Sequence, residues 1–172
     1  MVKLYHYAAK GNDVLTKGLC SFAKNPNADI SYYIKRSGQS THAGIVKWME
    51  GCFKGRSRGI RGLIEPLQYT ERTPSIKALI EASDLFEIDV SSLEKDGLLE
   101  AIYVSPSRLE KRPQNDNDEL LLKIAGPSEI DFTPNDYNIL DDEKGWRFAF
   151  IRFYLLVIKG GIIPPKYIKL LK

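Results

Sequence analysis

His6 stands between Tyr5 and Tyr7 near the start of a chain of 172 residues. An imidazole titrates near neutrality, so it can hold a hydroxyl or move a proton. Residues 3–8 alternate loosely in polarity and read as a short strand carrying that histidine. Gly11 and Asn12 then break the strand. Asn12 is suited to N-cap a short helix, Asp13 suits its positive end, Val14 and Leu15 can bury, and Gly18 ends it. The expected product is a strand, a tight turn and one or two helical turns, with His6 beside the opening of a helix. Such an opening attracts anions such as phosphate. A half-buried structural histidine fits the same position.

The arginines extend this theme. Residues 1–72 hold 12 Lys/Arg against 5 Asp/Glu, a balance of +7, whereas residues 73–172 hold 13 against 17, a balance of −4. Lys35, Arg36, Lys47, Lys54, Arg56, Arg58 and Arg61 all lie in the basic half. That half suits a nucleotide-like anion or a phosphate backbone, and equally a solvated basic face. Other chemistries are excluded or disfavoured. The chain has no G-x-x-x-x-G-K-[ST] loop, no G-x-G-x-x-G and no H-E-x-x-H. His6 and His42 are the only histidines, too few for a multi-histidine metal site, and no metal is expected. Cys20 and Cys52 stand in no nucleophile context and read as small buried apolar residues. No stretch approaches the roughly 18 apolar residues of a membrane span. With no apolar leader at the start, the expected compartment is the cytoplasm, and export by a dedicated secretion machine is compatible with the same sequence.

The elements that must position these residues follow from period and punctuation. Residues 20–28 read as a loop. Residues 29–35 read as a short helix stopped by Gly38. Residues 41–53 form an amphipathic helix capped by Ser40 or Thr41, with Ile45, Trp48, Met49, Cys52 and Phe53 on the face expected to meet a sheet. The pattern over residues 56–65 fits a strand, a turn or a loop. Thr73 and Pro74 open a helix over residues 74–83. Residues 85–90 and 98–104 alternate as strands, with residues 91–97 as the polar turn of a hairpin between them. Residues 107–118 read as a charged loop, 119–124 as a short apolar element and 146–158 as a long strand or two strands sharing a bend. The proline-bearing end closes the chain at a sheet edge. Helices early and strands late predict one mixed α+β domain over residues 1–172, with a mostly antiparallel sheet and flanking helices.

Three segments, in order along the chain, resemble ADP-ribosyltransferase-like proteins. LYHYAAKGNDVLTKGL resembles their opening strand with its histidine and short helix, as in the histidine-type branch and the tRNA 2′-phosphotransferase and DNA-modifying relatives. Ser40–Thr41–His42–Ala43 is similar to their serine/threonine junction. LLVIKGGIIPPKYIKLL resembles their last strand and its closure. The resemblance implies a split, two-sheet α+β fold with a cleft for NAD as substrate. It implies that His6 bonds the ribose, Tyr32 or Tyr33 stacks on nicotinamide, Thr41 lies at the binding junction, and Arg36, Arg56 or Arg58 pairs with the pyrophosphate. It also implies that the acceptor of the ADP-ribose is a protein or a nucleic acid. The chain departs from the pattern in one respect: residues 152–157 carry no acid. Glu100 is the preferred substitute, and Glu143 the second. Without an acid in the cleft, the domain is a noncatalytic binding module whose basic half recognises an anionic partner.

Overall fold

The computed structural model describes residues 1–68, 74–104, 116–125 and 153–172. Its centre is a six-stranded sheet. In chain order the strands are β1 (Lys3–Ala9), β3 (Gly59–Leu63), β4 (Ser83–Asp89), β5 (Leu99–Val104), β6 (Phe153–Ile158) and β8 (Ile168–Leu170). They lie side by side as β5-β6-β3-β1-β4-β8. A second, two-stranded sheet pairs β2 (Leu19–Cys20) with β7 (Ile162–Ile163). Every strand pairing among the described residues is antiparallel. The α+β class and the mostly antiparallel sheet are therefore as the sequence predicts.

Alternation along the strands sorts side chains onto two faces. Leu4, Ile60, Ile88, Ile102 and Leu156 are buried on one face, in the main core. That face is covered by α1 (Val14–Lys17), α5 (Val90–Lys95) and α6 (Asp116–Ala125), through Val14, Val90, Leu93 and Leu121. A smaller cluster of Leu63, Leu67 and Ile76 forms on the other face with Tyr5 and Tyr7, beneath α4 (Pro74–Glu81). Gly62 matters here. A Cβ at that position would lie 2.7 Å from Leu4 Cβ, so β3 can run beside β1 only without a side chain there.

Several expectations are corrected. The strands around residues 85–90 and 98–104 do not form a hairpin, because β6, β3 and β1 lie between β5 and β4. Their connection is the helix α5 rather than a polar turn. Asp89 Oδ1 accepts from Ser92 N at 3.0 Å and caps it, and Val90 and Leu93 bury at i, i+3. Asp13, not Asn12, is the N-cap of α1, and it makes no side-chain cap bond. Residues 20–28 contain β2's last residue and a 3-10 turn, Phe22–Lys24. The next helix, α2, runs Ser31–Ser37, two residues later than expected. Residues 119–124 belong to α6, and of the expected loop over 107–118 only residues 116–118 are described, in the same helix. Residues 56–65 resolve into a 3-10 turn, Arg56–Arg58, followed by β3. Of the expected strand over residues 146–158, β6 holds the end, and residues 146–152 lie outside the described residues. The helix α3 (His42–Cys52) packs mainly on α2 and the two 3-10 turns rather than on the sheet. Cys20 and Cys52 are both exposed. The proline-bearing end does close the sheet at an edge, as β8 on β4.

Candidate functional site

The sheet forks at His6. β1 pairs with β4 through seven residues, from Lys3↔Asp89 to Ala9↔Ser83, whereas β1 and β3 share the single pair Tyr5↔Leu63. His6 is the next residue along β1. Its Nδ1 lies 2.7 Å from the carbonyl oxygen of Arg61, so the ring spans the opening fork. A carbonyl only accepts, so Nδ1 carries the proton and Nε2 is the acceptor of the neutral ring. Desolvation lowers the ring's pKa from the ordinary 6.5, the Arg61 charge lowers it further, and the bond to the carbonyl opposes both. The ring is therefore neutral at pH 7.

A cavity of about 510 Å³ opens beside it. His6 and Ala8 of β1 form one side, and Asn12, Lys17 and Gly18 come from the α1 segment. Asp13, Cys20 and Lys24 line it as well. Gly18 is obligatory, with φ +87° and a would-be Cβ 2.2 Å from the Ile163 carbonyl oxygen. The cavity's cations are thus Lys17 and Lys24. The expected anion-attracting helix opening does not supply them, because α1 is one turn long and already has Asp13 at its N-terminus.

The remaining predicted residues form two other groups. Arg58 and Glu100 make an ion pair, and neither lines the cavity. Glu100 sits at a β-bulge: Leu99 faces Ile158 and Ala101 faces Val157, so Glu100 is the extra residue. Bulges re-aim side chains, and this one accompanies the turn of Glu100 toward Arg58. With β6 and β3 between β5 and β1, Glu100's strand stands about 14 Å from the strand of His6. The structure does not bring these two residues into one cleft. Arg56 belongs to the third group. Its guanidinium lies 4.9 Å from the Trp48 ring centroid and 5.7 Å from that of Phe53. Tyr33 packs edge-on to Phe22 at 5.1 Å and lies 6.5 Å from Trp48. Tyr32 and Arg36 belong to α2. Thr41 caps α3, its Oγ1 accepting from Gly44 N at 3.0 Å. Glu143 lies outside the described residues.

Sequence reading missed Glu50. Its Oε1 accepts from Gly55 N at 3.0 Å, and its Oε2 accepts from Ser57 N at 3.0 Å and Ser57 Oγ at 2.9 Å. Burial alone pushes the carboxyl up, but these bonds and the Arg58 charge together hold it below the usual 4.5. Glu50 therefore fixes the turn that carries Arg56 and Arg58. Its spacing of five and seven residues from the groups it binds was the available signal. Lys17 and Lys24 stand in no motif, so only the fold brings them to the cavity. Among the described residues no group of three His, Cys, Asp or Glu is placed to hold a metal ion. No family model, no curated protein and no solved structure matches the chain.

Proposed function

We propose that this chain is an ADP-ribosyltransferase-like domain that binds NAD in the cavity beside His6. The observation that carries the reading is the fork between β1 and β3, with a neutral histidine fixed across it by its Nδ1. In this reading Nε2 accepts a ribose hydroxyl, and Lys17 and Lys24 neutralise the pyrophosphate. Lysines take the place of the arginines expected for that task. The transfer breaks the bond between ribose C1′ and the nicotinamide nitrogen, and nicotinamide leaves with the bonding pair. A lone pair of the acceptor then bonds C1′, and the acceptor loses its proton. A carboxylate that stabilises the cationic sugar accelerates this step; Glu100 lies outside the cavity and pairs with Arg58, so Glu143 is the acid proposed for it.

A second reading is supported by the ion pair between Arg58 and Glu100. With Glu100 engaged there and three strand positions from β1, the domain binds the nucleotide without turning it over. Calorimetry with NAD and ADP-ribose tests both readings. Binding that weakens in His6→Ala and in Lys17→Ala/Lys24→Ala supports the shared part. NAD turnover lost by at least about tenfold in Glu143→Gln, with affinity kept and with Glu100→Gln close to wild type, identifies the acid. Binding without turnover selects the second reading. If NAD and ADP-ribose both fail to bind at low salt, the nucleotide reading falls.

A further inference from the structure

A ladder of half-buried rings runs over the α2–α3 side of the molecule, and none of its rings lines the cavity. His42 stacks on Phe22 at 4.6 Å and 23°, and its Nε2 lies 2.7 Å from the Phe22 carbonyl oxygen. Through Tyr33 the ladder passes from Phe22 to Trp48, and Arg56 joins Trp48 to Phe53. Phe53 then meets Tyr103 of β5 at 4.9 Å. None of these six aromatic rings belongs to a fully buried residue. They do not join the main core, since α3 packs on α2 and the 3-10 turns rather than on the sheet.

The charge along the segment that carries most of the ladder is mostly positive, with Arg58 paired to Glu100 of β5. Residues 31–58 contain six Lys/Arg and one acid, Glu50. That acid is turned inward by its bonds to Gly55 and Ser57. Lys35, Lys47 and Lys54 are exposed along the same segment. We infer that this surface binds single-stranded nucleic acid, with the phosphates on the lysines and unpaired bases on the ring faces.

The pairing of rings with cations selects this partner. Unpaired bases stack on aromatic side chains, and they do so whatever the sequence. A duplex keeps its bases stacked inside, so it would use the lysines and leave the rings idle. An acidic peptide would also use only the lysines. The surface is distinct from the nucleotide cavity. It starts at the 3-10 turn Phe22–Lys24, whose last residue lines that cavity.

Fluorescence anisotropy with a labelled 12-nucleotide oligo(dT) tests the inference. The comparison ligands are a 12-base-pair duplex and a poly-glutamate peptide of equal charge. The oligo(dT) is expected to bind tightest, and its affinity should fall as salt rises. Lys47→Ala/Lys54→Ala should flatten the salt slope by roughly 1.4, at about 0.7 per lost phosphate contact. Trp48→Leu should weaken binding about tenfold and leave the salt slope unchanged. Circular dichroism checks that Trp48→Leu is folded. If it is not, Lys47→Glu/Lys54→Glu, both exposed, decides the matter by abolishing or sparing binding. Equal or tighter binding of the duplex or of poly-glutamate overturns the inference, as does no oligo(dT) binding at 50 mM salt.

Discussion

His6 Nδ1 and the Arg61 carbonyl oxygen lie 2.7 Å apart, across two strands that share one residue pair. The bond does what the missing ladder pairs would otherwise do: it ties β3 to β1 just where they separate. It also fixes the ring's tautomer, so a structural tie and a chemical poise come from the same atom.

That tie makes stability depend on pH. The folded state depresses the pKa of His6 below 6.5, so the folded protein binds fewer protons there than the unfolded chain. Its contribution is fully present above pH 6.5 and is lost as pH falls through that value toward the depressed folded one. Denaturant midpoints of wild type and His6→Gln, measured from pH 7.5 to 5, should converge as pH falls. Parallel curves across that range would show that the ring does not titrate with unfolding.

Gly62→Ala should be costly although it adds one methyl. The new Cβ meets Leu4 Cβ at 2.7 Å, and Leu4 is fully buried. Overpacking of this kind typically costs about 1–3 kcal/mol. The new Cβ also meets Leu4 Cδ1 at 2.8 Å, so Leu4→Ala/Gly62→Ala, which removes that contact and keeps the one to Cβ, should recover only part of the loss of the second change. Urea unfolding of the two single variants and the double variant measures the coupling.

Glu50→Gln should loosen the turn over residues 55–58. The carboxylate holds two backbone N–H groups and a hydroxyl, and losing that charge costs about 1–2 kcal/mol after allowance for its half-exposed setting. Its depressed pKa adds stability above pH 4.5 that is lost as pH falls through the folded value. Acid titration of wild type should therefore show a stability loss that Glu50→Gln lacks. Amide hydrogen exchange at Gly55 and Ser57 reports the same change locally.

The ion pair of Arg58 and Glu100 should contribute little to stability. Both side chains are partly exposed, at 25% and 34%. A double-mutant cycle with Arg58→Ala and Glu100→Ala should give a coupling below about 1 kcal/mol. A much larger coupling in thermal unfolding would mean that Glu100 is committed to holding the turn.

The sheet was legible wherever a strand announces itself by period. The strand of His6 and those near residues 85–90 and 98–104 fall where alternation puts them. Their order was not legible, because neighbours in a sheet are set by packing and not by sequence. The hairpin inferred for residues 85–104 failed for that reason: Asp89 caps a helix whose polar residues imitate a turn. Thr41, Pro74 and Gly38 were readable because capping and left-handed geometry demand particular residue types. The candidate site was readable only at His6. Glu100 looked like its partner because the two are strand residues with suitable chemistry, but three strand positions separate them. The lysines of the cavity carry no motif, and only folding brings them to the histidine.

The strand order has a consequence for how the chain is made. β3 is complete by Leu63, yet one of its two neighbours, β6, begins only at Phe153. β5 depends on the same late strand. While the ribosome is still extending the chain, β3 and β5 therefore wait for the strand that, among the described residues, joins them. Long-range closure of this kind is slow, and open edges invite pairing with other chains. The late strand is the piece that joins the two halves of the sheet, and the nascent protein is most exposed to aggregation just before it emerges.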